Sequence, residues 1–364
     1  MKYFIILILI TLQIYSNNNR VCKNCHSIIY KEFQDSMHKN STLKSDTIHN
    51  AIWKLHPNNK KGNYTCAKCH TPINKDEGVG CLSCHKIIDI KEDSKYNENI
   101  YEKNSKTLYS AQKGEEDKKI VYHQESSWFG LSKKSVGSPY HNIDYRNKIF
   151  YNGKVCMGCH SHKQNAKGFN VCKTSMSGSK DSKKNCITCH MPQVPGSATT
   201  IRLSKTHAYH GFAGIYNEPK KLSKYIDLNI TKTKNGFSVT IENKTPHNLL
   251  IHTLRVLELQ VLLIRANKTE ILKSYKFVKI IGTNNKPSMP WLATQVIKDT
   301  SLKANEKREF NFNTILQKDD EVVAKLGFYK INPKIAKKLK IKEKKLTDFT
   351  ILKRAVLIST QNIH

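Results

Sequence analysis

The chain has 364 residues, with 61 Lys and Arg against 29 Asp and Glu, and its formal net charge is +32. Only 38% of the residues are apolar, so protein side chains alone give this length of chain a modest core. The basic residues form no single compact stripe, which argues against a nucleic-acid-binding surface, and no phosphate-binding loop or hydrolase triad is present.

Residues 1–16 have the pattern of a secretory signal peptide. Lys2 precedes an apolar run from Phe4 to Leu12, and Ser16 is a small residue in front of a polar stretch. The run is shorter than the about 20 residues that a membrane-spanning helix needs. We therefore expect export to the periplasm and a soluble mature protein. The alternative is that the segment stays on the chain as an uncleaved N-terminal anchor.

Ten of the 11 cysteines lie in five copies of the pattern Cys-x-x-Cys-His. This pattern attaches c-type haem, because its two thiols bond to the porphyrin and the next imidazole reaches the iron. A zinc site does not require His after the second Cys in every copy, and a thioredoxin-like pair occurs once in a chain. We therefore predict five covalent haems. They are attached through Cys22, Cys25, Cys66, Cys69, Cys81, Cys84, Cys156, Cys159, Cys186 and Cys189, with His26, His70, His85, His160 and His190 as proximal iron ligands.

The five motifs all lie between residues 22 and 190, so the haems must pack edge to edge and form a path for electrons. Each iron also needs a group on its other side: a second His gives a haem that only transfers electrons, whereas an open position can bind substrate. Methionine is scarce, with six residues, so His is the expected second ligand. Eleven candidates remain: His38, His49, His56, His123, His141, His162, His207, His210, His247, His252 and His364.

The order of several segments resembles the multihaem cytochromes c related to hydroxylamine oxidoreductase and to the tetrahaem cytochrome that accepts its electrons. An aromatic and acidic stretch after the first motif ends in Ser36-Met37-His38, and Ser138-Pro139-Tyr140-His141 precedes the fourth motif. The last motif continues as Met191-Pro192 and is followed by His210-Gly211-Phe212-Ala213-Gly214. This resemblance implies that His38, His141 and His210 are distal ligands, with His210 favoured over His207.

The resemblance covers about residues 20 to 215 and departs from the family in two respects. Hydroxylamine oxidoreductase has eight haems, whereas this chain has five motifs. No Cys-x-x-Cys-Lys motif is present, so the Lys-bound catalytic haem of pentahaem nitrite reductases has no counterpart. The catalytic roles of those enzymes therefore do not transfer, and the catalytic residues, if there are any, are unknown.

The stretch Glu242–His247 resembles the start of a C-terminal β-domain that some multihaem cytochromes carry, although Pro246 replaces a Gly of that pattern. The resemblance implies that His247 reaches back to the last haem as a distal ligand; the alternative is a histidine in a surface turn. The fifth distal position then falls to His56, His123, His162 or to no residue. Cys172 lies outside the motifs and is expected to be a free thiol without a role.

From Ile226 onward, apolar and polar residues alternate in short runs such as Phe237, Val239 and Ile241, which predicts a sandwich of about seven strands. The predicted fold is a mostly α, loop-rich haem domain followed by an all-β, sandwich-like domain. The predicted units are a signal peptide (1–16), a pentahaem cytochrome c domain (17–216), a linker (217–225) and the β-domain (226–364). The Lys-rich stretch 334–345 is interpreted as a solvated helix or loop; the alternative is a basic amphipathic helix that contacts anionic lipid or an acidic partner.

The function predicted from these features is electron transfer. The donor would be a quinol-oxidising membrane cytochrome or a small cytochrome c, and the acceptor would be a terminal reductase. Peripheral contact with a membrane is a further expectation, and nucleic acid is not an expected partner. The alternative is an enzyme, a haem-dependent oxidoreductase that acts on a small nitrogen or sulfur compound at one haem with an open axial position.

Overall fold

The computed structural model describes residues 19–103, 105–126, 133–174, 184–249 and 252–360. The predicted signal peptide, residues 1–16, lies outside these ranges. The helices are α1 (Ser27–Gln34), α2 (Thr47–Leu55), α3 (Ala67–His70), α4 (Cys81–His85), α5 (Ile149–Asn152), α6 (Met157–His160), α7 (Cys186–His190), α8 (Pro219–Leu222), α9 (Pro333–Lys338) and α10 (Lys344–Thr347). Short 3₁₀ helices cover Asn19–Asn24, Pro57–Asn59, Lys154–Cys156 and Ser223–Tyr225.

Short strands connect the helices of the first half of the chain, and longer strands form most of the second half. The first group is β1 (Ile87–Lys91), β2 (Glu98–Tyr101), β3 (Thr107–Tyr109), β4 (Lys119–Ile120), β5 (His123–Ser126), β6 (Lys133–Val136), β7 (Asn142–Asp144), β8 (His162–Gln164), β9 (Asn170–Lys173), β10 (Gln193–Pro195) and β11 (Thr206–Ala208). The second group is β12 (Ile226–Thr233), β13 (Gly236–Asn243), β14 (Val256–Arg265), β15 (Lys268–Phe277), β16 (Lys279–Thr283), β17 (Lys286–Pro287), β18 (Gln295–Asp299), β19 (Lys307–Phe312), β20 (Glu321–Tyr329) and β21 (Thr350–Ile358).

The prediction of a mostly α fold was wrong, because only 21% of the described residues are helical and 35% are in strands. Even in the first half, the longest helices are α1 with eight residues and α2 with nine. Each haem motif sets the conformation of only one helical turn, and the segments between motifs are rich in Asn, Gly and Ser, which are weak helix formers. These segments pair instead into sheets of two or three strands.

Two antiparallel sheets in the second half, with strand orders β12-β13-β19 and β15-β14-β20-β21, share one hydrophobic core. The alternation read from the sequence places Phe237, Val239 and Ile241 on one face of β13, and all three side chains are completely buried. Leu259 and Val261 of β14 and residues of β20 complete this core from the facing sheet. A third sheet has the order β17-β16-β18.

A smaller core connects the Lys-rich segment 333–347 to helix α2. Ala336, Ile341 and Leu346 are buried against Ile48 of α2, together with Ile331. The hydroxyl of Thr47, at the start of α2, also donates a hydrogen bond to the Glu343 carboxylate over 2.6 Å. The segment is therefore packed against the haem-motif half of the molecule. Across the described ranges, no helix combines the length and apolar character that crossing a membrane requires.

Candidate haem-binding centres

Four of the five motifs end in a short helix that carries the motif histidine at its last residue, namely α3, α4, α6 and α7. In the first motif, His26 immediately precedes α1. Helix α7 shows how the local sequence fixes the turn: the Asn185 side chain accepts hydrogen bonds from the amides of Ile187 and Thr188, and the Thr188 hydroxyl accepts one from the Asn185 amide. Capping of this kind holds the two thiols and the imidazole in one compact turn.

Three motif histidines face a second histidine from a distant part of the chain. The ring centroids of His26 and His141 are 6.2 Å apart, with 27° between the ring planes. The corresponding values are 6.3 Å and 22° for His85 and His210, and 6.2 Å and 19° for His190 and His247. His141 precedes β7, His210 follows β11, and His247 follows β13, so no local pattern brings these rings together.

The spacing of these three pairs fits a metal ion held between two imidazoles. A bond from a metal to an imidazole nitrogen is about 2.0–2.1 Å long, and the ring centre lies roughly 1.1 Å behind that nitrogen. Two coaxial imidazoles on one metal ion therefore place their ring centres about 6.2 Å apart. The observed separations of 6.2 and 6.3 Å agree with this value.

The Nδ1 atoms of these histidines are engaged by backbone carbonyl groups. Among the motif histidines, His26 pairs with the Ala198 carbonyl over 2.7 Å, and His85 and His190 make equivalent contacts of 2.7 and 2.6 Å. The facing histidines His210 and His247 have Nδ1–carbonyl distances of 2.6 and 2.9 Å. A carbonyl at Nδ1 fixes the tautomer with the proton on that atom, which leaves Nε2 free to bind a metal ion.

The fourth motif has a facing histidine as well, but with different geometry. The rings of His38 and His160 are 6.0 Å apart and tilted by 59°. Nδ1 of His38 is buried and has no hydrogen-bond partner among the described residues, and the ring packs edge-on against Phe212 at 4.1 Å. Burial, followed by the nearby His160, lowers the pKa of His38 to about 3. The neutral imidazole that results is the form that binds a metal ion.

The second motif differs from the other four. The nearest ring to His70 is His49 of α2, with centroids 3.9 Å apart, planes inclined by 76° and an Nδ1–Nδ1 distance of 2.8 Å. This spacing is a hydrogen bond and is too short for a metal ion between the rings. Nε2 of His49 in turn lies 3.3 Å from the Tyr64 hydroxyl. His70 is therefore connected through its Nδ1 to two further polar side chains.

His56, His123 and His162, which were predicted as candidates for the fifth distal position and which the structure describes, make no ring contact with His70. The Nδ1 of His56 accepts a hydrogen bond from the Asn58 amide, and its ring stacks on Trp53. His123 is exposed and pairs with a carboxylate on β5, whereas Nε2 of His162 contacts a backbone carbonyl over 3.1 Å.

Two histidines that sequence reasoning did not single out lie near the second motif. His49 is in direct contact with His70. Desolvation of the His252 ring, followed by the charge of Arg255 and the nearby His70, lowers the pKa of His252 to about 3. The position of His49 depends on how α2 packs, and no signal in the sequence specified it.

Cysteine side chains of different motifs also lie next to one another. Cys22 lies beside Cys81, which brings the first and third motifs together. The pair Cys69–Cys159 joins the second and fourth motifs, and the pair Cys156–Cys186 joins the fourth and fifth.

Contact between the third and fourth motifs completes the set. His38, which faces the fourth motif, lies close to His210, which faces the third, and Phe212 packs against both rings. The five motifs therefore form one connected cluster. Cys172 belongs to no motif but lies on β9 near Cys69, and burial raises the pKa of its thiol, which fits an unreactive side chain.

Comparison with known proteins agrees with this description. Residues 21–86 match the family model described as cytochrome c554 and c-prime. A penta-haem cytochrome c552 from Thermochromatium tepidum has the same fold, with a TM-score of 0.69 and 22% identity over 94% of this chain and 98% of that one. No curated protein matches the sequence.

The chain carries covalently bound c-type haem. The matches, taken with the five motifs, support a multihaem cytochrome c. They do not confirm the predicted relation to hydroxylamine oxidoreductase. The residues of this chain fit the cofactor, because cysteine pairs stand beside imidazoles whose Nε2 atoms are free. When bound, each haem supplies an iron centre that gains or loses one electron.

Proposed function

We propose that this chain is a periplasmic pentahaem cytochrome c that passes electrons between a quinol-linked or small-cytochrome donor and a terminal reductase. The observation that carries the proposal is the connected cluster of five motifs, in which cysteine or histidine side chains of neighbouring motifs lie side by side. Electrons that enter such a cluster at one motif can leave at another. A protein that used only one haem would not require this continuity.

The proposed ligand sets are His26 with His141, His85 with His210, His190 with His247, and His160 with His38. In each set the haem motif presents one imidazole, and a loop from elsewhere in the chain presents the other. Backbone carbonyl groups orient most of these rings at Nδ1, so little movement is needed when an iron changes its oxidation state. Rigid ligands of this kind suit electron transfer.

The test is reduction of the ferric holoprotein by a small cytochrome c and by membranes that contain a quinol-oxidising cytochrome, followed in the haem α-band. Full reduction of five haems per chain, followed by reoxidation on addition of a terminal reductase preparation, is the expected result. Failure of both donors, with all haems still reducible by dithionite, would contradict the proposed role.

A second candidate function rests on the second motif. His70 is the one motif histidine that none of the four proposed distal histidines faces, and its neighbour His49 contacts Nδ1, on the side of the ring away from the Nε2 that would bind iron. A haem whose far side stays open can bind a small nitrogen or sulfur compound. Electron paramagnetic resonance of the ferric protein with and without nitrite, hydroxylamine or sulfite separates the two functions. A stoichiometric high-spin haem that responds to one of these compounds supports an enzyme, whereas low-spin signals that none of them changes support a carrier.

A further inference from the structure

The segment 333–347 presents a dense group of exposed lysines. We call this group the lysine platform; it consists of Lys334, Lys337, Lys338, Lys340, Lys342, Lys344 and Lys345, all of which are exposed. The acidic residues of the same stretch are Glu343 and the neighbouring Asp348. Seven positive charges within twelve residues create a strong local positive potential, which attracts a partner of opposite charge.

The apolar side of the segment faces the protein and not the solvent. Ala336, Ile341 and Leu346 are buried in the small core that they share with α2. A helix that docks on lipid through its apolar face needs those side chains at the surface. The platform therefore offers charge alone to the outside, on a segment that packing and the Thr47–Glu343 hydrogen bond hold in place.

The platform lies directly behind the second motif. Helix α2 contributes Ile48 to the core beneath the lysines, and the next residue, His49, touches His70. Tyr216 also packs against this core, and the cationic groups of Lys330 and Arg255 both lie over the aromatic ring of Tyr216. A partner that binds the platform is consequently separated from the second motif by little more than one helix.

We propose that the lysine platform is the docking surface for an acidic redox protein, which exchanges electrons with this chain through the motif that contains His70. This inference rests on the proposed electron-transfer function and adds the charge of the partner and the place where it docks. Long-range attraction between opposite charges mainly raises the association rate, and salt weakens it. The signature of the platform is therefore a salt-sensitive, second-order electron-transfer rate.

The experiment compares two reductants of the ferric holoprotein in stopped-flow mixing. One is an acidic flavodoxin in its hydroquinone form; the other is reduced methyl viologen, a small cation that needs no docking surface. The variant replaces Lys337, Lys338 and Lys342 with Glu. A matched control makes the same charge change at Lys268, Lys286 and Lys298, which are exposed on the β-sheets of the second half.

At low salt, the platform variant should be reduced by flavodoxin about 10- to 100-fold more slowly than the wild type, and the control variant within about threefold of it. The difference should disappear in high salt, where charges are screened. Methyl viologen should reduce all variants at rates that differ little. A version with Gln at the three platform positions should lie between the wild type and the Glu variant, and it tests the proposal if the Glu variant does not fold.

Three results would overturn the proposal or its basis, and they can be told apart. Equal flavodoxin rates for the platform and control variants, with normal viologen reduction, refute the docking surface and leave the proposed function intact. Sedimentation with vesicles of phosphatidylglycerol and phosphatidylcholine that is lost only in the platform variant, with unchanged flavodoxin rates, assigns the lysines to a membrane instead. If methyl viologen reduces only some of the five haems, that result contradicts the electron-transfer function itself.

Discussion

Asn243 is the residue whose replacement most directly tests how the second half of the chain is joined to the haem motifs. Its side chain is completely buried at the end of β13. The amide group donates to the Lys303 carbonyl over 2.6 Å and to the His247 carbonyl over 3.0 Å. The Oδ1 atom accepts hydrogen bonds from the amide and the hydroxyl of Thr245 at 3.0 and 2.7 Å. Asn243 therefore holds the turn that presents His247 to His190.

Replacing Asn243 with Ala removes these four hydrogen bonds and leaves buried carbonyl groups without that donor. At about 0.5–1.5 kcal/mol for each hydrogen bond, the free energy of unfolding should fall by about 2–6 kcal/mol. The turn also loses its anchor, so the pairing of His247 with His190 should loosen. Guanidinium denaturation followed by circular dichroism measures the first effect, and the electron paramagnetic resonance spectrum of the ferric protein measures the second.

Replacing Asn243 with Asp gives the matched control, because Asp keeps the acceptor for Thr245 and lacks the amide donor. Its stability should be no higher than that of the Ala variant, because the new carboxylate oxygen would face the carbonyl oxygens of Lys303 and His247 in a buried site. The expected spectral result for the Ala variant is loss of one low-spin haem signal with all five haems still attached. A change in unfolding free energy below about 1 kcal/mol, together with an unchanged spectrum, would refute the assigned role of this side chain.

Three further predictions follow from single contacts. Gly78 has φ +66°, and a Cβ there would lie 2.4 and 2.7 Å from two backbone carbonyl oxygens, so Gly78→Ala should lower the free energy of unfolding by more than about 2 kcal/mol. Gly62 has φ +65° and open space around it, so Gly62→Ala should lower it by only about 1–2 kcal/mol in the same denaturation assay. His210→Ala should convert one low-spin haem to another spin state, whereas His207→Ala, which removes a buried side chain with two polar contacts, should reduce stability and leave the haem spectrum unchanged. Phe237→Ala should lower the unfolding free energy by about 3–5 kcal/mol because the ring is completely buried, and equal stability of variant and wild type would contradict the described core.

The parts of the site that depend on local sequence were accessible from the sequence, since Cys-x-x-Cys-His specifies its own chemistry wherever it folds. His38, His141, His210 and His247 were named from a resemblance, and the structure places each of them opposite a motif histidine; their role as ligands stays a proposal. The contact between His49 and His70 could not be predicted, because it depends on the packing of α2 against the second motif.

The predicted helical character of the first half was wrong for a related reason. Haem motifs indicate a turn of four or five residues, and they carry no information about the chain between them. Residues 98–101 form strand β2 and residues 107–109 form strand β3, for example, although neither segment has a strong alternation of apolar and polar residues. In the second half, the alternation in β13 gave the buried face directly, because one side of that strand faces a core of side chains.

The most direct test of the connected cluster is a reduction experiment with too little reductant. Ferric holoprotein, with its haem content fixed by mass spectrometry, is mixed with one electron equivalent of reduced methyl viologen per chain, and haem absorbance is followed in time. We predict that the chain carries five attached haems and that the single electron redistributes among them within milliseconds. Fewer than five haems, or a reduced haem that exchanges electrons with the others only through collisions between molecules, would contradict the account.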